Sequence, residues 1–296
     1  MRFDAWNATF PNAVLHEVRN YLETKIGATL ENRERGLHGY KFSELIQIDG
    51  VTHGVIAYGG PIPRLFVEVK GEPAQAWSEF VQSWIKEWTG EDNLALLTRA
   101  DVCYDWEDDL DVVALAPSLR AHVDSTVSPD GGRPPQWDQR GDWSSEKGRS
   151  RGCTLYMGAP SSSVRIRLYD KGAELKSRGI DASDKLRRVE VQVRASSKAE
   201  KIAWAFSTPE MFWTISVSVR AVASHLSVPF QGSMVRVPSP PADLERLKTL
   251  ASVQYGDAIA ALARDLATGA TSAVGLVDLL VAEIEKRRRS VLKRAA

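Results

Sequence analysis

Three stretches of alternating sequence set charged side chains in rows. In Val164 to Lys171 the even positions are Val164, Ile166 and Leu168, and the odd positions are Arg165, Arg167, Tyr169 and Lys171. An extended strand sends these two sets to opposite faces, so one tyrosine stands in a row of three cations. In Thr98 to Asp105, Arg99, Asp101, Cys103 and Asp105 share a face. In Arg188 to Arg194, Val189, Val191 and Val193 take one face, and Arg188, Glu190, Gln192 and Arg194 take the other. If these strands are neighbours, Asp101, Asp105 and Glu190 lie near Tyr169 on one sheet surface.

A solvated face with cross-strand ion pairs would show the same alternation. Two features argue for chemistry instead: isolated acids among many cations, and a single tyrosine in the polar row. Cations at Arg167 and Lys171 would favour the phenolate, which tyrosine needs in order to attack, since its free pKa is roughly 10. Carboxylate oxygens suit Mg2+ or Mn2+, and arginines two residues apart can clamp phosphates. The combination predicts transfer of a phosphoryl group from a phosphodiester to tyrosine. Asp101 and Asp105 stand about 13 Å apart along a regular strand, too far to share one ion without a bulge. Asp101 with Glu190 is therefore the preferred metal pair, and Asp105 is a third ligand or an orienting group. Arg165, Arg167, Arg188 and, as a lesser candidate, Arg99 would bind the flanking phosphates, and Lys171 would bind them or assist the ionisation of Tyr169.

The chain that must position these residues has 296 residues, 43% of them hydrophobic and 26% charged, as an ordinary folded protein does. Formal net charge is zero, but cations outnumber acids from Arg133 to Arg194 and cluster again at Lys286 to Arg289. That asymmetry permits a polyanionic partner. No apolar run is long enough to span a membrane and no secretory signal is visible at the start. With only Cys103 and Cys153, a disulfide framework is excluded and reduced thiols in the cytoplasm are expected. Histidines 16, 38, 53, 122 and 225 are scattered, so no histidine metal motif stands out.

The elements read as follows. Phe3 to Phe10 forms a strand, then Val14, Leu15, Val18, Tyr21 and Leu22 recur at helical spacing. Residues 40–48 and 51–58 form a hairpin around Asp49-Gly50, and Arg64 to Lys70 a third strand. A helix opening at Pro73 carries Trp77, Phe80, Val81, Trp84, Ile85 and Trp88 on one side. A strand at 97–106 and a helix from Asp111 to Val123 follow. Residues 125–150, with Trp137 and Trp143, read as a long loop. Strands at 153–157, 164–171 and 187–194 precede a helical region from Ser197. Pro238-Ser239-Pro240-Pro241 reads as a linker, with two helical stretches beyond it, at about 242–267 and 272–293. Tyr156 sits between Leu155 and Met157, which favours core packing or base stacking over nucleophilic chemistry. The fold class is α+β with a mainly antiparallel sheet.

These segments also resemble the replication initiation factor family of rolling-circle plasmids and filamentous phages, whose relatives include relaxases of mobile elements. Thr98-Arg99-Ala100-Asp101-Val102-Cys103-Tyr104-Asp105 resembles its first acidic motif. Leu155-Tyr156-Met157-Gly158 with Val164-Arg165-Ile166-Arg167-Leu168-Tyr169-Asp170-Lys171 resembles its "YxG … RIYDKxxE" motif, and Arg188-Val189-Glu190-Val191 its "RVE" strand. The resemblance runs from about Phe3 to residue 235. It implies helices on one face of a duplicated RRM-like or HUH-like core over residues 1–236, with a helical C-terminal extension over 237–296. It implies that Tyr169 nicks one DNA strand, becomes linked to the 5′-phosphate and frees a 3′-hydroxyl primer, with Asp101, Asp105 and Glu190 at a divalent metal. Single-stranded or hairpin origin DNA is the implied partner, with a host helicase and a second copy of the chain as further ones. The turn Ala159-Pro160-Ser161-Ser162-Ser163 lacks the basic residue often found there, and Gln192 stands where a second acid is common. The alternatives are a relaxase using the same chemistry and a non-catalytic origin-binding protein on the same scaffold.

Overall fold

Alternation of apolar and polar residues builds one ten-stranded sheet, with every pair of neighbours antiparallel. The computed structural model describes residues 1–87, 95–127, 134–144 and 152–232. The expected linker, the helical stretches beyond it, the 236/237 boundary, Lys286 to Arg289 and Trp88 lie outside these residues.

The elements are β1 (Arg2–Pro11), α1 (Leu15–Thr24), β2 (Thr29–Asn32), β3 (Phe42–Ile48), β4 (Val51–Tyr58), β5 (Arg64–Lys70) and α2 (Ala74–Glu87). The same sequence of parts then recurs, with one additional helix, α4, before the last strand: β6 (Leu96–Glu107), α3 (Val112–Val127), β7 (Trp137–Arg140), β8 (Thr154–Met157), β9 (Val164–Tyr169), α4 (Lys171–Ser177), β10 (Leu186–Arg194) and α5 (Lys198–Ala203). Short helices α6 (Pro209–Phe212) and α7 (Val217–His225) follow. Each half orders its strands alike, β2-β3-β4-β5-β1 against β7-β8-β9-β10-β6, and β1 pairs with β6 at the centre. The chain is thus α+β with an antiparallel sheet, as the strand pattern predicts, and the sheet is duplicated, as the resemblance implies.

The Asp49-Gly50 turn joins β3 and β4 with both residues at positive φ, 50° and 74°, as a two-residue hairpin requires. Amphipathic α2 turns Trp77, Val81 and Trp84 into the core, where Phe10 of β1 meets Trp77 and Trp84 with ring centroids 5.7 and 5.8 Å apart. Val102 of β6, Leu168 and Ile166 of β9, and Val189, Val191 and Val193 of β10 are buried in the same core. The opposite face of these strands carries the polar rows.

Several details depart from the sequence reading, the edge strand β2 and the helix α4 having no counterpart in it. Trp137 to Arg140, expected in a loop, adds the edge strand β7 to β8, and Trp137 donates from its indole to Asp124 Oδ1 at 3.3 Å. Strand β9 ends at Tyr169 rather than 171, and Lys171 opens α4. Tyr156 is not in the core: only Leu155 and Met157 are buried there, and Tyr156 stands on the polar face.

The turn into α4 depends on glycine. A Cβ on Gly172 would lie 1.9 Å from the Ser183 carbonyl oxygen, so the backbone would have to move. Gly172→Ala is expected to destabilise the protein by at least about 2 kcal/mol, measurable by urea denaturation. An unchanged midpoint would show that the approach of α4 to the 183 loop is dispensable.

Candidate active site

Strand order brings the three polar rows together. Register places Arg188 of β10 opposite Tyr169 of β9 and Asp105 of β6, Glu190 opposite Arg167 and Cys103, and Gln192 opposite Arg165 and Asp101. Asp101, Asp105, Glu190 and Tyr169 therefore share one sheet surface, across three adjacent strands.

The acids are more enclosed than a solvated face would make them. Asp101 and Glu190 are each 2% exposed and Arg188 is 4% exposed. Buried charge is costly unless paired, and each acid holds an arginine. Asp101 accepts from Arg99 Nε at 2.8 Å and again from its Nη2. Asp105 accepts from Arg188 Nε at 2.5 Å and Nη2 at 2.7 Å, a bidentate pair. Glu190 accepts from Arg167 and, on its other oxygen, from the Tyr169 hydroxyl at 2.5 Å. Arg188 also reaches Asp4 at 2.8 Å.

This pairing reverses one expectation. Burial raises the Tyr169 pKa, the Glu190 carboxylate adds to it, and Arg188 and Arg167 pull the other way without prevailing. The phenol is held protonated, as a hydrogen-bond donor to Glu190. Burial likewise raises Glu190, against the charge of Arg167 and the hydrogen bonds it receives. Lys171 and Arg167 do lie by the Tyr169 ring, at 5.9 and 5.4 Å from its centroid. Cys103 is buried, which pushes its thiol up to about 12 and removes it as a nucleophile.

Asp105 behaves differently. Burial opposes its ionisation, but Arg188, then Arg2 and Lys171, hold its carboxyl below the usual range. A lowered folded-state pKa means stability that is full above the unfolded value of about 3.9 and is lost as pH falls through the folded one. Asp105→Asn is therefore expected to cost stability at neutral pH and nothing once the pH is below the folded-state pKa of Asp105. Urea midpoints between those limits test this, and a constant difference down to the lowest pH would refute it.

The residue after the tyrosine has a separate task. Asp170 points away from the cleft and accepts from the backbone N–H groups of Val112 at 3.3 Å and Cys153 at 3.4 Å, with Arg187 at 3.2 Å. It pins the start of α3 and the entry to β8 to the end of β9. Lys171, released into α4, pairs with Glu174 and still faces the Tyr169 cleft.

Two clefts open along the polar face. The larger, about 650 Å3, is lined by Arg2, Asp4, His53, Asp105, Tyr156, Arg167, Tyr169, Lys171 and Arg188 among others. The smaller, about 250 Å3, is lined by Arg99, Asp101, Tyr156, Arg165, Arg167, Glu190, Gln192 and Arg194. Asp4 was not anticipated from sequence. A bulge between Phe3 and Ala5 interrupts the β1–β6 register, and Asp4, the extra residue, reaches Arg188. Arg194 supplies the cation that the 158–163 turn lacks, donating to the carbonyls of Pro160 at 2.9 Å and Ser162 at 3.0 Å.

Among the described residues no three His, Cys, Asp or Glu side chains are grouped to hold a metal ion. The oxygen donors nonetheless suit a hard divalent cation: Asp101 and Glu190 occupy diagonal positions on paired strands and open onto one cleft. Asp105 does not join them, because it lines the larger cleft while they line the smaller one.

Comparison with known proteins agrees with the motif resemblance over the second half of the sheet. Residues 95–221 match the family model for replication initiation factors. A solved structure described as a rolling circle replication initiator protein from Geobacillus stearothermophilus is 23% identical, covering 67% of this chain and 74% of that one with a TM-score of 0.47. No curated protein matches. No helix among the described residues is long and apolar enough to cross a membrane.

Proposed function

We propose that this protein initiates rolling-circle DNA replication by nicking one strand at an origin, with Tyr169 as nucleophile. The observation that carries the reading is Tyr169, which lines an open cationic cleft and donates its hydroxyl, at 2.5 Å, to a buried carboxylate able to take its proton. The match of residues 95–221 to replication initiation factors supports it.

In this reading single-stranded origin DNA lies across the polar face. Tyr169 Oη bonds to the scissile phosphorus as the bond to the 3′ oxygen breaks, and its proton passes to Glu190 Oε1. The products are a 5′-phosphotyrosine and a 3′ oxygen that takes a proton to become the primer hydroxyl. Lys171, on the same cleft, stabilises negative charge on the departing side. Arg167 and Arg188 hold Glu190 and Tyr169 in register and present positive charge to the phosphate. Asp101 and Glu190 would hold Mg2+ or Mn2+, exchanging arginine contacts for it, and the ion when bound would polarise the phosphate.

One observation favours a second reading, a non-catalytic origin-binding protein: the phenol is protonated and every acid beside it already has a cation. A nicking assay separates the two. The full chain is incubated with labelled single-stranded DNA from its own replicon, with Mn2+ or with EDTA. A metal-dependent adduct that survives SDS is the expected result. Tight binding with no adduct, on DNA containing the origin, would establish the second reading.

A further inference from the structure

The smaller cleft contains an arginine whose donors have no acceptor. Of the four arginines lining it, Arg99 is held by Asp101, Arg167 by Glu190, and Arg194 by the carbonyls of Pro160 and Ser162. Arg165 has none of these: its Nε and Nη2 are buried and make no hydrogen bond. Leaving buried charged donors unpaired costs free energy, so the position calls for an anion.

Arg165 is held by a different force. Its guanidinium lies 4.0 Å from the centroid of the Tyr156 ring, and Arg140 lies 5.2 Å from the same ring. A cation–π contact uses the flat face of the guanidinium and leaves its in-plane N–H donors free. Burial, reinforced by the charges of Arg140 and Arg167, lowers the Arg165 pKa despite Tyr156 and Asp138, so an anion arriving there relieves like-charge repulsion.

We propose that Arg165, stacked on Tyr156, forms a phosphate subsite for the DNA strand, separate from the phosphate that Tyr169 attacks. This rests on the nicking reading for its choice of ligand. The separation follows from the strand: Arg165 and Tyr169 are four residues apart on one face of β9, about 13 Å along a regular strand, too far to grip the same phosphate. The bound strand would therefore run along β9, from Tyr169 towards the 158–163 turn, and the subsite would fix which phosphate meets the tyrosine.

The test measures binding of fluorescent oligothymidylate to the full chain in EDTA, as a function of salt, so that no cleavage enters. Arg165→Gln is expected to weaken binding about tenfold at low salt and to reduce the slope of log K against log salt by about 0.7, the value for one lost single-strand phosphate contact. Tyr156→Leu, which removes the ring that Arg165 stacks on, is expected to lose affinity in the direction of Arg165→Gln. Circular dichroism and thermal melting confirm that the variants are folded. An unchanged slope in folded Arg165→Gln overturns the subsite, whatever the adduct assay shows. A reduced slope in a protein whose wild type forms no adduct upholds the subsite and removes only the transfer chemistry.

Discussion

Tyr169→Phe is expected to abolish the covalent protein–DNA adduct, a loss of at least about 10^4-fold in rate, while binding of single-stranded DNA stays within about twofold. The bond to phosphorus needs the oxygen that phenylalanine lacks. The ring itself remains, so its contacts with Arg167 and Lys171 persist. Glu190 loses one donor but keeps Arg167, with Arg188 3.9 Å away, so the buried carboxylate is not stranded. No other tyrosine of this face is equivalent, because Tyr156 lies against Arg165 and its ring contacts point to stacking. The measurement is an SDS gel of wild type and variant with labelled origin DNA and Mn2+, beside anisotropy on the same DNA. An adduct of undiminished yield in Tyr169→Phe would remove Tyr169 as nucleophile.

The strands were legible in the sequence because each has one apolar face. Arg64 to Lys70 alternates without a break, and β5 occupies those residues. β2 and β7 were not legible: four residues at a sheet edge bury too little to impose a pattern. Alternation also carried β9 two residues too far, because Lys171 keeps the period even though Asp170 has turned inward to take two backbone donors. Residue types marked the candidate site, since the rows of β6, β9 and β10 had to face one way once they were neighbours. Which arginine meets which acid depends on register, and that required the pairing. The Tyr169 ionisation was misjudged for the same reason. Flanking cations along the strand were visible, but burial and the carboxylate across the strand pair were not, and they dominate. Asp4 depended on a bulge, which leaves no mark in the alternation of a ten-residue strand.

Arg188→Met is expected to destabilise the fold by about 3–5 kcal/mol, the cost of removing one partner from a buried ionic network. At about 2–4 °C per kcal/mol for a domain of this size, the melting temperature should fall by roughly 10 °C. The reason is arithmetic of charge at one point: Arg188 is 4% exposed and faces Asp105, Asp4 and Glu190. Without it, Asp105 keeps Arg2, at 3.2 Å on the exposed rim, and the more distant charge of Lys171, and Asp4 loses its ion pair with Arg188. Arg188→Lys should recover less than half, because an ammonium cannot serve both Asp105 oxygens and Asp4 at once. Adding Asp105→Asn to Arg188→Met should be less damaging than the two separate losses summed, by about 1–3 kcal/mol, since the second change removes a carboxylate the first left unpaired. Thermal melts of the wild type, Arg188→Met, Arg188→Lys, Asp105→Asn and the double variant decide it. A fall under about 2 °C in Arg188→Met would mean the network is hydrated and weak. Arg188 stands opposite Tyr169 in register, so the same variant, held below its melting point, should also form adduct more slowly, through a Tyr169–Glu190 pair no longer held in place.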